Sequence, residues 1–247
     1  MKLFEPIKIG TVEVKNRIVL PPMNTRLLDV PGVVSQRLID FYVEQAKNDV
    51  GLLILGDVCV DPKGSGMYLE PFIDDRYLPN LCRLTEAVHL YGAKISPQLY
   101  RAGFDALYWL EDAPRKSSST FHANSRGGKV VASALKLEEI DEIIEKHAQA
   151  ASRAKIAGFD MVQIHGDRLV GEFSSPLINK RTDRYGVNLE GRMRFGLEIV
   201  ERSREKVGNG YPLDFKLPIR IPDNTESKSS VTLEEAKVFA RKLEEAG

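Results

Sequence analysis

Short apolar segments alternate with longer amphipathic ones along this chain, and that alternation confines it to folds built from βα units on a parallel sheet. Residues 50–60 (VGLLILGDVCV) form a nearly continuous apolar run, as a strand covered on both faces requires. Residues 33–47 follow a different period, with Leu38, Phe41, Tyr42 and Ala46 at helical spacing. The same reading gives a hairpin-like opening at 7–15 and a first buried strand at 17–20, stopped by Pro21 and Pro22. A helix at 78–91 ending at Gly92 precedes a strand at 93–99 and a long polar stretch at 103–135. Next come a helix at 137–157 closed by Gly158, a strand at 159–165, a loop to Gly186 and a helix at 189–207. A strand at 213–219 and a helix at 232–246 follow, the helix opened by the capping box Thr232-x-x-Glu235.

This order amounts to about five βα units, and 247 residues suit a single domain of that class. A closed (β/α) barrel needs eight units, so the expectation is a TIM-type barrel that is incomplete here, truncated before its last strands. The chain is then a fragment of a longer protein or a truncated relative. A doubly wound open sheet also tolerates five units, but neither a Gly-x-Gly-x-x-Gly nor a P-loop motif occurs.

Charge narrows the partners. Lys plus Arg (35) equals Asp plus Glu (35), so net charge recruits neither nucleic acid nor an anionic membrane. No apolar run approaches the roughly 18 residues of a membrane span, and the opening MKLFEPIKIG lacks a signal-peptide core. Cys59 and Cys82 have no metal-ligand spacing, which predicts no metal site and a reduced, cytoplasmic setting.

In a parallel barrel, function sits where strands end. Those ends carry Pro22-Met23-Asn24-Thr25, Gly56-Asp57, Gln98-Leu99-Tyr100-Arg101, His165-Gly166-Asp167-Arg168 and Lys216. Five polar or permissive ends on one rim favour a ligand site. Gln98 offers an amide to a flat heteroaromatic ring, and Lys216 can neutralise an anionic ring edge. No nucleophile–base pair or triad is evident, which points to cofactor chemistry.

Four stretches carry a specific likeness: LFEPIKIGTVEVKNRIVLPPMNT, AVHLYGAKISPQL, AGFDMVQIHG and FSSPLINKRTDRYGVNLEGRMRF. In the same order and over essentially the whole chain, they resemble the Old Yellow Enzyme family of NADH:flavin oxidoreductases. The resemblance implies an FMN lying across the barrel mouth, reduced by NADH or NADPH, that passes hydride to an activated alkene or related small unsaturated acceptor. It implies that Pro22, Met23 and Asn24 line the flavin ring, that Asp57 lies near it and that Gln98 bonds its pyrimidine edge. Lys216 stands where the family has Arg, and His165 matches the substrate-binding position. The LPPMNT opening is similar to the longer branch with dienoyl-CoA reductases and bile-acid oxidoreductases, where an iron–sulfur cluster requires cysteines from a longer chain.

The departures set further expectations. Arg168 replaces the usual Asn or His and is suited to a substrate carboxylate or phosphate. Val170 stands where a proton-donating Tyr is expected, leaving water, Tyr100 or another loop residue as the proton source. Gln163 replaces a common Glu, and Asp57 puts a carboxylate where small residues are usual. The barrel loops that hold the FMN phosphate follow strands seven and eight, which this chain does not reach, so ring contacts alone predict weakened binding. The alternative is a non-catalytic truncated barrel that associates through its open edge, with a partner or as a homo-oligomer. His147 reads as a packed helix histidine, His89 as structural, and His122 offers no case. Arg181, Asp183 and Tyr185 read as a structural network, and both cysteines as small buried hydrophobes.

Overall fold

The computed structural model describes residues 1–27, 33–64, 72–104, 115–125, 128–217, 219 and 231–247. Strands β1 (Ile7–Ile9) and β2 (Val12–Val14) form the opening antiparallel hairpin, turning at Gly10, whose φ of 56° favours glycine. The repeating part follows as β3 (Val19–Met23), α1 (Gln36–Lys47), β4 (Leu52–Cys59), α2 (Leu78–His89) and β5 (Lys94–Tyr100). Strands β6 (Lys116–Ser117), β7 (Phe121–Ser125) and β8 (Gly128–Ala134) form a separate three-stranded sheet. The chain continues through α3 (Leu137–Ile156), β9 (Val162–His165), α4 (Leu169–Ser174), α5 (Leu189–Val207), β10 (Leu213–Lys216) and α6 (Leu233–Ala246).

The main sheet is parallel throughout, in the order β10-β9-β5-β4-β3. Each strand lies beside its sequence neighbour in the βα series, without the reversal of direction that makes a doubly wound sheet. Helices α1, α2 and α3 bury Leu38, Tyr42, Leu84, Val88 and Ala151 against Leu53, Leu55, Ile95 and Leu99 of the strands. A second cluster joins Ile140 and Ile144 of α3 to Ile164, Phe173, Phe195 and Ile199. Each such Leu, Ile or Phe contributes about 1.5–3 kcal/mol by leaving water. Helix starts are set locally: Ser35 accepts from Leu38 N at 3.1 Å, and the capping box is made, with Glu235 N 3.2 Å from Thr232 Oγ1.

Three expectations change. Pro21 and Pro22 do not stop a buried strand; β3 runs through them with alternating exposure, and Val19 and Met23 are 45% and 44% exposed. The reason is its place: among the described residues β3 pairs only with β4, and an edge strand tolerates residues that cannot donate. The stretch at 103–135 contains β6, β7 and β8, whose small and polar residues hide the strand period. The strand expected at 213–219 is Leu213–Lys216, and part of its expected end, residue 218, lies outside the described residues. No described helix is long and apolar enough to cross a membrane.

Candidate functional site

The C-terminal ends of β3, β4, β5, β9 and β10 lie along one rim of the parallel sheet. Two irregularities shape it. Between Leu55 and Val58, β4 uses three steps where β5 uses two, Pro97 to Leu99; β3 does the same against β4 between Leu20 and Met23. Extra residues of this kind bend a strand and re-aim its end, and they concentrate beside active sites. Gly56 sits inside the bulge because a Cβ there would lie 2.5 Å from the backbone N and O of Met23. Asp57 lies in the same bulge, but its side chain is outside the described residues. Pro22 is half-buried, and Met23 and Asn24 are exposed at the rim.

Strand register sets the polar side chains on one level. Gln98 faces Gln163, and Gln163 faces Asp214, so three adjacent strands present polar groups side by side. The Gln98 Nε2 donates to Gln163 Oε1 at 2.5 Å, and the Gln163 Nε2 donates to Asp214 Oδ2. Gln98 is only 1% exposed, yet no described residue donates to its Oε1. An amide oxygen not used by a described donor remains available as an acceptor, and at this rim it can take a ligand N–H.

Two residues further along β9 and β10, on the same face, His165 stands opposite Lys216. The backbone N–H of Asp167 donates to His165 Nδ1 at 3.2 Å, so the neutral ring carries its proton on Nε2. Burial, then the positive charges of Lys216 and Arg168, push the His165 pKa down to about 3, which keeps the ring neutral at physiological pH. In this tautomer Nδ1 accepts from the backbone and Nε2–H is the ring's donor, the kind of group that bonds a carbonyl oxygen. The Tyr100 ring lies 6.2 Å from the His165 ring. Lys216 Nζ is 2.6 Å from Asp167 Oδ2, both partly exposed, so its charge is already shared with a carboxylate. Arg168 is half-buried at the start of α4.

Not every strand-end residue joins this group. Arg101 points the other way, into the helical layer: its Nε meets Asp61 Oδ2 at 2.9 Å, and Lys146 Nζ meets Asp61 Oδ1 at 3.0 Å. Burial alone would raise the Asp61 pKa, but the two cations hold it below the usual carboxylate range. Next to them His147 is fully enclosed, its pKa pushed down to about 4 by burial, with Nδ1 2.9 Å from Ile143 O. Asp61 went unnoticed in the sequence because one Asp before a Pro looks like an ordinary turn. Val170 faces the core, 3% exposed, against Gly196 of α5. The RTDRYG segment is structural: Arg181 donates to Ser118 O and Leu135 O and clamps Asp183, while Asn179 bonds Phe173 O and Tyr185 O, both at 2.7 Å. His89 is 2.8 Å from Asp160. Cavities of 680 and 500 Å³ lie in the helical layer, lined in common by Glu198 and Glu201, away from the rim.

A family model described as NADH:flavin oxidoreductase / NADH oxidase matches residues 2–246. An NADH oxidase of Thermoanaerobacter brockii is 42% identical over 254 residues, covering 99% of this chain and 38% of that protein. The chain therefore spans less than two fifths of that relative's length. Among solved structures, a 2-naphthoyl-CoA reductase complexed with 2-naphthoyl-CoA superposes with a TM-score of 0.89 at 27% identity, over 99% of this chain and 39% of the other. An old yellow enzyme homologue from Zymomonas mobilis superposes with a TM-score of 0.86 at 26% identity, over 100% and 71%.

Proposed function

The chain belongs to the NADH:flavin oxidoreductase / NADH oxidase family, and from that premise we propose that it forms the flavin-ring half of an FMN-dependent reductase. On this reading the five parallel strands are an arc of a (β/α) barrel, and the rim is its mouth. The donor set suits a flat heteroaromatic ring: the Gln98 amide toward the pyrimidine edge, Lys216 near the anionic edge, and the bulge of Gly56, Asp57 and Pro22–Asn24 along one side. FMN, reduced by NADH or NADPH, supplies the hydride. The protein's own residues bind the acceptor, an activated alkene or related unsaturated compound, and orient it.

The observation that carries this reading is His165. Held neutral by burial and turned by the Asp167 N–H, it offers Nε2–H to an acceptor carbonyl, drawing electron density from the conjugated double bond. Arg168, flanking it, suits a carboxylate or phosphate on the acceptor. Val170 lies in the core and has no proton to give, so the proton comes from water or from Tyr100, whose ring adjoins His165.

The test is direct. FMN titrated into the protein should be quenched in fluorescence, and Gln98→Ala should weaken binding by about tenfold, the value of one lost hydrogen bond to a buried group. His165→Ala should leave FMN binding within about twofold and raise the acceptor KM. Failure of the wild-type protein to take up FMN, or unchanged affinity in Gln98→Ala, overturns the assignment.

A further inference from the structure

The Gln98–Gln163–Asp214 row has a direction, and only its last member can set it. An amide side chain can present either its oxygen or its NH₂ to a neighbour, so a pair of facing glutamines has two orientations of similar energy. A carboxylate cannot donate. Asp214 therefore compels Gln163 to offer its Nε2, which turns the Gln163 oxygen toward Gln98. Gln98 must then spend its Nε2 on Gln163, and its Oε1 is the atom left over. That oxygen takes no donor among the described residues and is left as the acceptor at the end of the row.

We propose that Asp214 is a positioning residue: across three strands it fixes the polarity of the amide row, so that Gln98 meets the bound ring with its oxygen and selects a ring N–H. This rests on the reading of the rim as a flavin site, where the ring donor is the imide N3–H. It assigns the discrimination not to Gln98 alone but to a carboxylate two strands away that touches no ligand. Neighbouring hydrogen bonds polarise one another, so the end group acts on the atom at the other end.

Two measurements test it. In the flavin-free protein, the Gln98 and Gln163 side-chain amide protons should be shifted downfield and slow to exchange; Asp214→Leu and Asp214→Asn should each move the Gln98 resonances. With flavin, the wild-type protein should prefer FMN over N3-methyl FMN by roughly tenfold, the value of one lost hydrogen bond, and Asp214→Asn should narrow that to about threefold or less. Asparagine keeps the shape but lets the row run either way, so this variant separates polarity from packing. Gln98 amide signals indifferent to both substitutions overturn the proposal, as does full discrimination in Asp214→Asn. A protein that shows the amide coupling but takes up no FMN leaves the row intact and removes the functional reading instead.

Discussion

At the scale of residues, one carboxylate answers two cations. The Asp61 side chain is 3% exposed and touches both Arg101, 4% exposed, and Lys146, 25% exposed. The two contacts are not equal. Removing the carboxylate leaves the Arg101 charge enclosed with nothing to balance it, and an uncompensated buried charge costs about 3–5 kcal/mol. Lys146 reaches solvent and can rehydrate, so losing its contact costs about 1 kcal/mol or less. Asp61→Ala should therefore lower the urea midpoint much further than Lys146→Met does; equal losses would show that Arg101 finds another partner. The same residues show where strand-end logic stops. Side chains alternate across a strand, so Gln98 and Tyr100 share one face of β5 while Leu99 has the other, and Arg101, the residue just past the strand, continues that alternation. Parity was readable in QLYR and separates Gln98 and Tyr100 from Leu99 and Arg101, which go to the helices. The partner of Arg101 was not readable, because Asp61 lies 40 residues away in sequence and meets it only once β4 and β5 are paired.

At the scale of elements, β3 and β4 approach so closely that one position admits no side chain. A Cβ on Gly56 would sit 2.5 Å from the Met23 N and O, and both obstacles are backbone atoms that cannot rotate away. Gly56→Ala should cost roughly 1–3 kcal/mol, the usual range for forcing atoms into a packed region, and should loosen the rim at Met23. Gly210→Ala is the control: its Cβ would meet only Thr11 Cγ2 at 3.7 Å, an ordinary contact, and its stability should stay within about 0.5 kcal/mol of wild type. A Gly56→Ala midpoint matching that of the control would mean that β3 slides without penalty. The βα alternation was legible because α1, α2, α3 and α5 bury apolar stripes and β4, β5 and β9 are covered on both faces. Strand β3 was misjudged for a physical reason: the proline rule concerns central strands, and β3 has one neighbour among the described residues. Sheet β6-β8-β7 escaped because segments such as FHANS and GKVVASA show no clear strand period, and part of what ties it down is polar and distant in sequence: Arg181 donates to Ser118 O and Leu135 O beside the strands.

At the scale of the whole molecule, two enclosed histidines make folding stability depend on acid. Burial holds His165 down to about 3 and His147 down to about 4, whereas an unfolded histidine titrates near 6.5. Below pH 6.5 the unfolded chain therefore takes up protons that the folded chain refuses. Stability is full above that pH and falls as pH drops toward the folded values, by at most roughly 1.4 kcal/mol per pH unit for each ring. The carboxylates act in the same direction but later: Asp61 and Asp160, held below the usual range, add their loss only once pH falls through their ordinary value of 3.8. Between pH 6.5 and 4.5 the two histidines dominate the slope. Urea unfolding at pH 7, 6 and 5 should show the midpoint falling with each step. His147→Phe keeps a ring of similar size in the enclosed site while removing its titration. It should flatten the slope by roughly half whatever its effect on stability at pH 7. An unchanged slope in that variant would mean that His147 takes up its proton in the folded state, with water reaching the core beside Arg101.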